Sequence, residues 1–320
     1  MRLVFTCPLA LSSLNYLAVI NLLEGITVFK KIILLTMLLA LVGCGDETNT
    51  TLVSTTTTSI VVNSDIFGLD VPTMTPELFA PEIISTPETK EFAGTFSPDF
   101  NYYFFTRRNA QEINRIYYTQ YVDGVWTTPC LSPISEDVPE FEPFITPDGR
   151  YLYFGSRRGG SSDFYMYRSE FVDGIWQEPV YLENELNEGF SMYISVSLNG
   201  NIYYTGSIGI RVMRYVDGAY LPSESTGIIG AHPYIAPDES YMLFDDSGST
   251  MRTSIFVTFN VDGVWQDSQK LGEDINQSTK MQICSSVSPD GKYLFFGRFS
   301  GEIIDIYWLD AAYLDAYRPE

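Results

Sequence analysis

The sequence predicts an all-β fold, a five-bladed β-propeller of four-stranded antiparallel blades, and three observations carry that prediction. A Pro-Asp type of turn followed by an aromatic strand occurs five times. An Asp-Gly hairpin follows the first four of these about 25 residues later. Strands such as Tyr102-Tyr103-Phe104-Phe105 and Tyr151-Leu152-Tyr153-Phe154 are apolar at every position, so both of their faces need cover, which a propeller supplies by placing each blade between two neighbours.

The five turns are Ser97-Pro98-Asp99 before Tyr102 to Phe105, Thr146-Pro147-Asp148-Gly149 before Tyr151 to Phe154, Ser197-Leu198-Asn199-Gly200 before Ile202 to Tyr204, Ala236-Pro237-Asp238 before Tyr241 to Phe244, and Ser288-Pro289-Asp290-Gly291 before Tyr293 to Phe296. Pro sets φ at the first corner, Asp bonds its own backbone, and Gly or Asn tolerates positive φ. The hairpins are Asp123-Gly124, Asp173-Gly174, Asp217-Gly218 and Asp262-Gly263, followed after one residue by Trp126, Trp176, Tyr220 and Trp265. Asp-Gly between β-prone residues joins strands by a tight turn, so each hairpin joins the third and fourth strands of a blade. The fifth unit has no such hairpin after Ile303 to Leu309. Its missing outer strand is expected at the other end of the propeller, where Leu78-Phe79-Ala80-Pro81-Glu82-Ile83 matches Trp126 to Leu131 and Trp176 to Tyr181. A strand borrowed from there closes the ring without an open edge.

These turns, the strands after them and Ser156-Arg157-Arg158-Gly159 resemble the Pro-Asp type of WD-like β-propeller repeat, the kind also found in the translocation protein TolB, over about residues 75–320. The third unit departs at Leu198 and Asn199, and the fourth has Glu239 in place of Gly. The resemblance implies a propeller. It does not choose an activity, because the family holds both protein-binding scaffolds and sugar-active enzymes.

Four regions follow along the chain. Residues 1–27 read as an upstream extension of the reading frame, the alternative being a membrane hairpin of two apolar segments. Residues 28–44 read as a signal peptide: Lys30 and Lys31 precede an apolar run ending in Leu41-Val42-Gly43-Cys44, which resembles a bacterial lipobox and implies acylation of Cys44. Gly45 stands where an Asp would resemble an inner-membrane retention signal, so the expected address is the cell envelope, at the outer membrane, with lipid as the membrane attachment. Residues 45–66 are rich in Thr and Ser and read as a tether, and 67–320 form the propeller.

With 40 acidic against 19 basic residues and a formal net charge of −21, the surface repels phosphate backbones, which excludes nucleic acid and favours cationic or neutral ligands. An envelope protein or a glycan is the expected partner of a monomer. No nucleotide loop, zinc-protease helix or nucleophile elbow occurs, and no cofactor, metal or catalytic residue is assigned. His232 is the chain's one histidine, which excludes a multi-histidine metal site. The expected role is a non-catalytic binding or scaffolding module, and the alternative is a glycan-active enzyme, a hydrolase or lyase, using a pair of channel carboxylates.

Position within the repeat supplies a candidate site. Five residues before each turn Pro, or before Leu198, stand Ala93, Glu142, Tyr193, His232 and Cys284. Residues constant across the repeat serve the fold, whereas a ring of five different side chains is free to build a site. Glu142, Tyr193 and His232 are the expected ligand-binding residues, at the channel mouth. Arg107-Arg108 and Arg157-Arg158 are expected to pair within their own blades, and Asp245-Asp246-Ser247-Gly248 to be a solvated turn. Cys130 and Cys284 fall on an outermost and an innermost strand, too far apart to pair, and both are expected to be free.

Overall fold

The structure, a computed structural model, describes residues 66–183, 185–246 and 253–319. The calls on the upstream extension, the signal peptide, Cys44 and the tether as far as residue 65 lie outside the described residues, as do Ser247 and Gly248.

Five antiparallel blades follow one another around an axis, the first four built from the inside outwards in chain order and the fifth taking its outermost strand from the N-terminal side. The innermost strands are Lys90–Phe96, Glu140–Ile145, Ser191–Val196, Ala231–Ile235 and Gln282–Val287. Each Pro-Asp turn carries the wiring expected of it. In blade 1 the Ser97 hydroxyl donates to Asp99 (2.6 Å), Asp99 accepts from Asn101 N–H (3.1 Å), and Tyr102 N–H donates back to Ser97 Oγ (2.9 Å). Blade 3 lacks the Pro, and the N–H that Leu198 retains donates to the Pro237 carbonyl of blade 4 at 2.8 Å. The Asp-Gly pairs have positive φ at both residues, 51° and 85° at Asp123 and Gly124, which gives the primed turn whose twist matches the strands it joins.

Two of the aromatic residues after the hairpins cover a neighbouring blade, whereas Trp126 stacks on Phe67 at 4.4 Å. Trp176 packs edge-on against Phe104 of blade 1 at 5.6 Å, and Trp265 against Tyr203 of blade 3 at 6.4 Å. The outer strand does not run straight on from the aromatic residue: Val125–Trp126 pairs at the hairpin, and after Pro129 the chain pairs again at Cys130–Leu131.

Closure of the ring is borne out, in a different register from the one expected. Glu77 lies opposite Trp308 and Leu78 opposite Tyr307 of the strand Ile303–Asp310, and Phe79 N–H donates to the Ile306 carbonyl at 2.8 Å. Leu78 therefore corresponds to Leu131, which lies opposite Tyr117 in blade 1, rather than to Trp126. The correct match is Thr75-Pro76-Glu77-Leu78 with Thr128-Pro129-Cys130-Leu131. A paired segment of only two residues sets its register weakly, and Pro81 gave a rival alignment. Phe79 is fully buried at the seam, its ring 5.0 Å from Phe295, 5.2 Å from Trp308 and 5.5 Å from Tyr103.

Cys284 is a free, buried thiol on the innermost strand of blade 5. Cys130, in contrast, is disulfide-bonded, which corrects the expectation of two free thiols.

Candidate functional site

Every innermost strand contains a β-bulge at the same place. The register skips between Phe92 and Thr95, Phe141 and Phe144, Met192 and Ile194, Ala231 and Tyr234, and Ile283 and Ser286. The five residues of the sequence-derived ring are the bulge residues: Ala93, Glu142, Tyr193, His232 and Cys284 have φ of 50°, 58°, 49°, 48° and 53°. A left-handed backbone costs a residue with a side chain on the order of 1–3 kcal/mol, and glycine would avoid it. None of the five positions is glycine, and a bulge re-aims its side chain relative to the regular pleat.

Hydroxyls on the second strand of the preceding blade hold two of these bulges. Glu142 N–H donates to Thr106 Oγ1 and His232 N–H to Thr205 Oγ1, both at 2.8 Å. For Cys284 the acceptor is a carboxylate, Asp245 Oδ2, at 3.2 Å. A threonine performs the backbone duty in blades 1 and 3, so the charge in blade 4 is surplus to the fold. The same Asp245 oxygen lies 2.8 Å from His232 Nδ1. Asp245 is 1% exposed and ends the strand Tyr241–Asp245, which corrects the expectation of a solvated turn at this residue. Its place in the repeat, four residues after Tyr241 as Thr106 is four after Tyr102, was the available signal.

Around this bond the structure assembles residues from blades 2 to 5. His232 Nε2 lies 3.5 Å from Glu142 Oε1, and the Tyr193 ring stands edge-on to the imidazole at 5.3 Å. All three expected ligand-binding residues are thus together, joined by Cys284 and Asp245, which the sequence did not put forward as ligands. Burial disfavours the imidazolium, but Asp245 and the Cys284 sulfur outweigh it and hold the His232 pKa well above its ordinary value. Burial pushes the Cys284 thiol up to about 12 despite the opposing pull of His232. Burial likewise carries Tyr193 well above the usual phenol range, and its hydroxyl donates to the Ser285 carbonyl at 3.3 Å.

Two cavities meet these residues. One, of about 180 Å³, is lined by Pro98, Pro147, Leu198, Pro237 and Pro289, one turn corner from each blade, and by Tyr193. The other, of about 240 Å³, has Glu142 in its wall with Phe92, Phe141, Phe164, Phe299 and Arg108. Glu142 is 6% exposed and its Oε2 has no hydrogen-bond partner. Arg107 and Arg158 pair within their own blades as expected: Arg107 bonds Glu91 at 2.8 Å, and the Arg158 guanidinium lies 2.8 Å from Glu140, both carboxylates being fully buried, whereas the Arg157 guanidinium lies over the Phe164 ring and its Nε has no hydrogen-bond partner.

No family model and no curated protein matches the chain. Among solved structures, a putative TolB from Agrobacterium tumefaciens is 18% identical over 70% of this chain and 78% of that chain, with a TM-score of 0.45. TolB from Acinetobacter baumannii is 19% identical over 59% of this chain and 45% of its own, with a TM-score of 0.42. A putative glycoside hydrolase from Bacteroides ovatus is 11% identical over 77% of this chain and 98% of its own, with a TM-score of 0.48. These are likenesses of fold. Among the described residues, no helix is long and apolar enough to cross a membrane.

Proposed function

We propose that the protein is a binding module of the cell envelope, anchored by lipid on Cys44, which takes a neutral or cationic group of a glycan or envelope protein on its axial ring at Glu142, Tyr193 and His232. The observation that carries this reading is the buried Glu142 oxygen without a partner, on a strained bulge, in the wall of an aromatic-lined cavity. An unpaired buried carboxylate oxygen costs free energy that a ligand donor would recover. The strongly acidic composition favours the same class of ligand. Binding is a better account than two-carboxylate glycan hydrolysis, because Asp245, the other carboxylate of the cluster, is sealed from solvent and engaged by His232 and by Cys284 N–H. An array of glycans and peptides probed with the full chain in detergent tests the reading. Captured ligands should be lost with Glu142→Ala and His232→Ala, and capture that is intact in both variants would overturn it.

A further inference from the structure

We infer that Glu142, His232 and Cys284 form a binding site for a single divalent transition-metal ion of the zinc class, with Asp245 as the residue that positions the histidine. The inference deepens the reading of the axial ring as a binding site and rests on it.

A carboxylate oxygen, an imidazole nitrogen and a thiol sulfur from three different blades lie within 4.8 Å of one another. In a tetrahedral zinc site, metal–ligand lengths near 2.0–2.3 Å place donor atoms about 3.3–3.8 Å apart. His232 Nε2 and Glu142 Oε1 already stand at 3.5 Å, so the widest separation has to close by only about 1 Å. The donor set is selective: thiolate and imidazole suit zinc and its soft neighbours, whereas calcium and magnesium take oxygen ligands.

Two further observations point the same way. Glu142 Oε2 is buried without a partner, which is costly in a cluster holding no ion and explained in one that holds one. Asp245 bonds Nδ1 of His232, leaving Nε2 turned towards Glu142, and a carboxylate on the far nitrogen is the usual partner of a metal-bound histidine. This carboxylate stands where blades 1 and 3 use threonine, so the fold does not account for its charge. Metal binding requires the Nε2 lone pair and the Cys284 thiolate, and the protons they give up go to solvent. Three protein ligands leave a fourth position for water or for a donor atom of a ligand.

The test is titration of the metal-stripped full chain with Zn²⁺ alone, and with Co²⁺ as a spectroscopic probe. One equivalent should bind, and Co²⁺ should give a thiolate-to-metal charge-transfer band. Cys284→Ser should abolish that band, which separates the site from the other cysteines. Glu142→Gln should weaken Zn²⁺ at least tenfold, and Asp245→Thr about 10- to 100-fold with the band retained. Melting curves confirm that each variant is folded, and the wild-type spectrum needs no variant. A wild-type chain with no thiolate band, or a band that survives Cys284→Ser, overturns the metal site. If the metal fails while Glu142→Ala still abolishes ligand capture, the binding reading stands alone. If the metal binds and capture is unaffected, the reverse holds.

Discussion

The seam between blades 5 and 1 and the ring at the axis are built on opposite terms. At the seam, Phe79 is fully buried among Phe295, Trp308 and Tyr103, and the two-residue strand before it adds ladder pairing. The groups there pack as apolar surface, apart from the Tyr103 hydroxyl, which is also buried without a hydrogen-bond partner. At the axis, five residues sit in a strained backbone conformation, Glu142 keeps an unpartnered oxygen, and Asp245 brings a charge where threonine serves elsewhere. In a repeat protein the difference can be read directly: where the blades agree, the residue serves the fold, and where they differ at a shared position, the chemistry is surplus to it.

The largest effect that would break this contrast is at the seam. Removing residues 70–90 should abolish the cooperative unfolding of the whole body, because the ring opens and the faces of Phe295 and Trp308 lose their cover. A deletion variant that melts like the parent would show that the seam does not close the ring.

An intermediate effect sharpens the contrast at the axis. Asp245→Thr installs the side chain that blades 1 and 3 use, so the backbone duty survives while the charge is lost. His232 is held above its ordinary pKa in the folded protein. Its contribution to stability is therefore complete below its unfolded value of about 6.5 and is lost as pH rises through the folded value. The groups facing it, Glu142, Tyr193 and Cys284, are the same in both proteins. Denaturant titrations of metal-stripped protein should show the wild type losing stability relative to Asp245→Thr above about pH 6.5. A difference that is flat with pH would mean that the two side chains do not interact.

The smallest effect concerns the one turn without proline. Leu198→Pro restores the residue of the other four blades, yet it removes the N–H that bonds Pro237. It should cost about 0.5–1.5 kcal/mol, whereas a stabilised variant would show that the inter-blade bond contributes nothing.

Much of the fold was legible because turns state their geometry in residue type. Pro-Asp and Asp-Gly fix backbone conformation locally, and their repetition gave blade number, strand order and the need for closure. The closing register was not legible in the same way: a two-residue strand beside both Pro76 and Pro81 has two plausible alignments. Within the site, counting back from the turn found all five bulge residues, since a constant offset survives from blade to blade. That the position is a left-handed bulge was hidden, because Glu, Tyr, His and Cys are not the residues that advertise positive φ. Asp245 was misread because its role appears only when it is compared with Thr106 and Thr205 across blades, and Cys284 was counted in the ring but not weighed as a ligand.

The most direct test is a denaturant unfolding comparison of Phe79→Ala with Glu142→Ala. Alanine already occupies the bulge position in blade 1 as Ala93, at a φ of 50°. The seam variant should lose about 3–5 kcal/mol, and the ring variant should lose less than about 1 kcal/mol or gain stability as an unpaired buried oxygen is removed. Comparable losses in the two variants would contradict the division between a repeated frame that makes the fold and a variable ring that makes the site.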